Sequence, residues 1–234
     1  MSETKIEWTD MTWNPTTGCS KVSEGCKNCY AERMAKRLKA MGNPRYSKGF
    51  EPQEHFDALS LPYSWKKPKK VFVNSMSDLF HEEISEEFIV RVFKVMNETP
   101  LHTYQILTKR PQRAVQMAHR LSWSNNIWMG TSVENSRVVG RIDELRRVPA
   151  RVRFLSCEPL IGELEAMNLQ DIHWVIVGGE SGPGARPIDS DWVRSILNQC
   201  QTAEVPFFFK QWGGVMKHKN GRLLDGREWN EFPH

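Results

Sequence analysis

Short apolar runs rich in β-branched and aromatic residues recur along the chain, and stretches with helical spacing separate them. Runs at 11–15, 71–75, 103–108, 127–132, 151–156, 174–179 and 206–211 predict strands. Each ends in a polar or charged group. Helices are predicted over 31–41, stopped by Gly42-Asn43-Pro44, and from Ser85 to about Asn97. The second places Phe88, Val92, Phe93 and Met96 on one face, with acids in its first turn, where the helix dipole favours them. Three more follow Pro111 (to about Leu121), span 138–146 and span 191–201. Residues 43–68 show weak periodicity and predict an irregular insertion with a short helix over 54–59. From about Gly213 the chain is polar, with turn signals at Asn220-Gly221 and Asp225-Gly226.

Alternating strands and helices, with strands apolar almost throughout, argue for a parallel sheet covered by helices. The chain's 234 residues suit a single domain. About seven strands fit an α/β fold of the partial or compact (β/α) TIM-like barrel type. Periodicity alone does not separate that from an open doubly wound sheet.

Composition changes this picture little; charge and cysteine usage change it more. The net charge of +4 is modest, but Lys66-Lys67-Pro68-Lys69-Lys70 and the arginines between Arg141 and Arg153 form local basic runs. Nine tryptophans, beside basic groups, suit stacking on bases, although most such rings belong to cores. The start of the chain lacks a signal-peptide pattern and no apolar run approaches a membrane span, which predicts a cytoplasmic protein without a membrane partner.

Three of the five cysteines fall within Gly18–Glu32, spaced C-x6-C-x2-C: Cys19, Cys26 and Cys29. Thiolates this close can converge on one metal centre. Zinc with a fourth ligand, an iron–sulfur cluster with one open iron, and plain free thiols are the alternatives.

The segment Gly25-Cys26-Lys27-Asn28-Cys29-Tyr30-Ala31-Glu32 resembles the cluster loop of radical SAM enzymes, and the whole chain resembles a compact, phage-associated radical SAM-like family. The commonest spacing in that superfamily has three residues between its first two cysteines, and this loop has six. The resemblance favours the barrel. It implies a [4Fe-4S] cluster on Cys19, Cys26 and Cys29, with S-adenosylmethionine at the open iron and a reductant such as flavodoxin or ferredoxin. It further implies that Asn74, Ser75 and Asp78 lie near the cofactor's amino group and that Ser132 and Glu134 serve its ribose. Tyr30 is expected to pack on cluster or adenine, and Lys109 or Arg110 to hold the carboxylate. Cys157, at a strand end, is expected to face the mouth and give a hydrogen atom, as a cysteine does in the spore photoproduct lyase branch; its bland alternative is a small core residue. A Gly-Gly-Glu triplet binds the methionine amino group elsewhere in the superfamily, but after an earlier strand, so Gly178-Gly179-Glu180 is given no such role.

The expected activity is reductive cleavage of S-adenosylmethionine directed at a nucleic acid or nucleotide: a lyase for DNA photoproduct repair, or a base modification. The competing reading is a non-catalytic nucleic-acid-binding module with structural zinc.

Overall fold

The structure, a computed structural model, describes residue 4 and residues 6–233, with all their side chains except those of 217 and 218. One sheet holds seven strands: β1 (Met11–Trp13), β2 (Lys70–Val73), β3 (Thr103–Thr108), β4 (Ile127–Ser132), β5 (Val152–Cys157), β6 (Trp174–Gly178) and β7 (Phe207–Gln211). They lie side by side in chain order, and every neighbouring pair is parallel. Parallel neighbours require long crossovers. Five helices serve them: α1 (Tyr30–Ala40), α2 (Glu86–Glu98), α3 (Pro111–Met117), α4 (Arg141–Arg146) and α5 (Ser190–Thr202). Their ends follow the chemistry of capping: the Ser85 hydroxyl accepts from the Phe88 N–H, and the Asp189 carboxylate from the Asp191 N–H.

The sheet is curled into a partial barrel, as the sequence predicts. Trp8 shows this, because its ring lies 4.8 Å from Phe72 of β2 and 6.2 Å from Trp174 of β6, two strands that are not neighbours. Alternation along each strand then creates two different surfaces. Val71, Val73, Tyr104, Ile106, Ile127, Met129, Leu155, Val175, Val177 and Phe209 pack in one core with Phe88, Ile89, Val92, Phe93 and Met96 of α2. Each such side chain contributes about 1.5–3 kcal/mol by leaving water. The concave face instead carries Phe154, Trp174, Ile176 and Phe208, buried with Trp8. Gly130 lacks a side chain for a steric reason: a Cβ there would stand 2.4 Å from the Phe154 ring.

The insertion is more ordered than its composition suggests. Gln53–Glu54 pairs antiparallel with Thr16–Thr17, and a 3-10 segment runs from Phe56 to Ser64, longer than the predicted short helix. Its Ala58 carbonyl accepts a 2.9 Å bond from the Trp13 indole. The polar tail ends in aromatics that are used: Trp229 packs on Phe207, and Phe232 lies 5.0 Å from Trp174, helping to fill the concave side.

Candidate functional site

Cys19, Cys26 and Cys29 line one cavity of about 510 Å3 at the carboxyl end of the sheet, together with Ser20, Lys21, Glu32 and Lys48. The loop makes one 3-10 turn over Glu24–Cys26, and Cys29 stands directly before α1. The remaining cysteines, Cys157 and Cys200, are buried in the helix-side core, so no fourth thiol belongs to this group. Among the described residues, no three His, Cys, Asp or Glu side chains are gathered around the position of a single ion.

Two sets of strand-end residues clamp the loop. On the β2–β3 side, Asp78 accepts from the Thr108 hydroxyl at 2.7 Å, from the Phe80 and Lys109 N–H groups at 3.0 Å each, and from Arg110 at 3.4 Å. The Arg110 guanidinium also donates to Glu82, to Ser20 Oγ at 2.8 Å and to Cys19 Sγ at 3.5 Å. Burial pushes the Cys19 thiol up to about 11, the Asp78 charge adds to that, and Arg110 partly offsets both. The ring of His81 meets Ser20 Oγ at 2.8 Å, and burial holds it below the ordinary histidine range.

On the β4–β6 side, the fully buried Glu134 accepts from the Gly25 N–H at 3.3 Å and from Arg141 at 2.9 Å. Gly25 is required there: a Cβ would stand 2.9 Å from the Glu134 carboxyl carbon. After β6, Glu180 accepts from Arg186 at 2.6 Å and from the Asn28 amide at 2.9 Å. Burial alone would raise the Glu180 carboxyl; the Arg186 side-chain and backbone bonds and Asn28 outweigh it and hold the group at about 2. Arg33 of α1 donates to the Ser181 and Pro183 carbonyls, and Asn28 of the loop donates to the Gly184 carbonyl, so the glycine-rich segment after β6 is tied to both the cysteine loop and α1.

Within the mouth, Lys109 Nζ donates to Ser132 Oγ at 3.0 Å. Across from it, Lys210 and Glu158 pair at 2.7 Å, and Ser156 Oγ donates to Glu158 at 3.3 Å. Lys109 has no carboxylate partner among the described residues, whereas every Arg110 nitrogen is engaged.

These placements revise several expectations. Cys157 does not face the mouth: it is fully buried in the helix-side core, and burial beside Cys200 pushes its thiol well above the ordinary range. Ser156 takes the inward position instead. Glu134 has both oxygens occupied and no exposure, so it acts on the loop and cannot reach a ribose. Asp78 is likewise saturated by four donors. Tyr30 is 60% exposed in the first turn of α1 and covers neither cavity wall. Asn74 adopts φ +64°, its side-chain Oδ1 accepts from the Thr16 N–H, and its buried side-chain Nδ2 has no partner. Ser75 donates to Asn14 at 3.2 Å. Most of the arginine run is used within the fold: Arg141 serves Glu134, Arg147 pairs with Glu144 at the surface, and Arg146 and Arg153 donate to backbone carbonyls. No tryptophan stands exposed; Trp8, Trp13 and Trp174 are deep in the cores. Asn28, Arg33, His81, Arg141 and Arg186 escape the sequence reading, because their roles rest on partners distant in the chain. The glycine-rich run at 178–184 is the one signal the sequence offers.

Among solved structures, the chain is similar to three of spore photoproduct lyase. A double mutant with bound AdoMet and dinucleoside spore photoproduct gives 12% identity over 80% of this chain and a TM-score of 0.49. A single mutant with the dinucleoside spore photoproduct gives 12% identity over 79% and a TM-score of 0.47. The chain spans about 60% of the length of the first of these and 58% of the second. No curated protein matches it. No helix among the described residues is long and apolar enough to cross a membrane. The model of the family described as protein of unknown function (DUF5131) matches residues 3–233, and the chain belongs to that family.

Proposed function

We propose that this chain is a radical SAM enzyme whose Cys19, Cys26 and Cys29 hold a [4Fe-4S] cluster. The observation that carries the reading is that all three thiols line one cavity at the carboxyl rim of a parallel partial barrel. When bound, the cluster would supply the electron that cleaves S-adenosylmethionine to a 5′-deoxyadenosyl radical, drawn from a donor of the flavodoxin or ferredoxin class.

The chain's own residues divide the remaining work. Lys109, a half-buried ammonium without a counter-ion, suits the methionyl carboxylate; Arg110 is already committed. The unpaired Asn74 amide offers a further donor to the same end. Ser132, held by Lys109, remains the candidate for the ribose. Glu134 and Glu180 keep the loop in register. The substrate on this reading is a nucleic acid or nucleotide, and the reaction is photoproduct repair or base modification. Cys157 is given no part as hydrogen donor, since its thiol is sealed in the core.

The test is anaerobic reconstitution followed by incubation with dithionite and S-adenosylmethionine. The expected result is a brown protein with roughly four irons per chain that forms 5′-deoxyadenosine, and a Cys26→Ala variant that loses both. Stoichiometric zinc without iron, or wild-type cleavage by Cys26→Ala, would overturn the proposal.

A further inference from the structure

The positive charge of the chain is concentrated beside the cysteine cavity. Residues 19–50 contain eight Lys or Arg against two acids, a net +6, while the whole chain carries only +4. The charge is also aligned. Glu32, Lys36 and Lys39 recur at helical spacing on one strip of α1, with Glu32 partly buried and both lysines exposed. Lys21 reaches Glu32 at 3.3 Å from the loop, and Lys36 reaches it at 2.8 Å. The Lys39 side chain extends over Gly49, next to Lys48, and Lys21 and Lys48 themselves line the cavity. One carboxylate therefore serves two of these lysines, and among the described residues none serves Lys27, Arg37, Lys39 or Lys48.

We propose that this row, Lys21–Lys36–Lys39–Lys48, tracks the phosphate backbone of a nucleic-acid strand along the rim of the mouth. The inference deepens the nucleic-acid half of the proposed function and rests on it. Two features favour a phosphate backbone over an acidic protein. The row is made of long, separately mobile ammonium groups, the kind that neutralise phosphates one by one. A protein partner also seeks a compact apolar centre, and among the described residues of the loop and α1 the exposed large apolar side chains are three single ones, Val22 in the loop and Tyr30 and Met41 at the two ends of α1. The basic runs singled out in the sequence do not compete. The arginines from Arg141 to Arg153 are largely paired within the fold, and Lys66, Lys67 and Lys69 are not among the residues that line the cavity.

The experiment is fluorescence anisotropy of a labelled single-stranded 20-mer DNA with the full chain, prepared without iron. Wild type is expected to bind with a salt slope that falls by about 2 in a Lys36→Gln/Lys39→Gln/Lys48→Gln variant, since each phosphate contact to a single strand contributes about 0.7. Affinity near 100 mM salt should fall at least tenfold, with the thermal midpoint unchanged. A Lys66→Gln/Lys67→Gln/Lys69→Gln variant should stay within twofold. No binding by wild type at low salt, equal losses in the two variants, or no loss in the first would each overturn the proposal. No iron or S-adenosylmethionine is needed. A chain that cleaves the cofactor but ignores the oligonucleotide loses only this surface; one that binds it but carries zinc loses only the radical reading.

Discussion

The two clamps on the cysteine loop hold it by different means. On the β4–β6 side, Glu134 and Glu180 reach a backbone N–H and an asparagine, and each is neutralised by its own arginine. On the β2–β3 side, a single guanidinium gathers Asp78, Glu82 and Ser20 and also touches a sulfur. The first clamp sets where the loop lies. The second adds a charge next to one of the thiols, whereas among the described residues the first clamp's side chains bond no sulfur. Placement of the loop and a charge beside a thiol thus fall on opposite sides of one mouth.

The largest test of this division is Glu134→Ala. Both Glu134 and Arg141 are buried, so removing the carboxylate leaves a cation without a partner and strips the Gly25 N–H of its acceptor. Breaking such a pair costs about 3–5 kcal/mol. Urea unfolding of the iron-free chain should show a loss of that size, and a loss below about 1 kcal/mol would mean that the loop is held elsewhere.

Glu180→Gln comes next and carries a pH signature. The folded carboxyl sits at about 2 against an ordinary 4.5, so its stabilisation is complete above about pH 4.5 and is lost as pH falls toward 2. The shift corresponds to about 3 kcal/mol, reduced by water around the quarter-exposed Arg186. Stability of wild type and Glu180→Gln, compared between pH 3 and pH 7, should differ by about 2–3 kcal/mol at neutral pH and converge in acid. Parallel curves would remove Glu180 from the clamp.

Much of this fold could be read from the chain, because β-branched runs such as 103–108 and 127–132 coincide with β3 and β4. The direction of individual side chains could not. β5 is buried on both faces, so its apolar pattern has no phase, and nothing local tells that Ser156 turns inward while Cys157 turns to the helices. Pairing was equally hidden. Arg141 reads as part of a basic run until Glu134 is found beside it, and Glu180 reads as a loop residue until Asn28, 152 positions away, is seen to donate to it. The cysteine trio was legible because its spacing is short; what orients it is contributed by four strand ends, those of β2, β3, β4 and β6.

The smallest expected effect on stability, and the sharpest on chemistry, belongs to Arg110→Met. Asp78 keeps three other donors when the arginine is gone, and Glu82 is largely solvated, so neither is stranded. The cost should be about 1 kcal/mol, that of an ordinary lost hydrogen bond network edge. The change at Cys19 is of another kind. A guanidinium donating to a cluster thiolate stabilises the more negative, reduced state, and hydrogen bonds to the sulfurs are among the terms that set cluster potentials. On the cluster reading, an EPR-monitored titration of reconstituted Arg110→Met should give a more negative potential than wild type, with Arg110→Lys in between. Glu180→Gln, whose carboxylate meets no sulfur, should leave it unmoved. If Glu180→Gln shifts the potential as far as Arg110→Met does, the two sides of the mouth are not doing different jobs, and the charge at Cys19 is incidental.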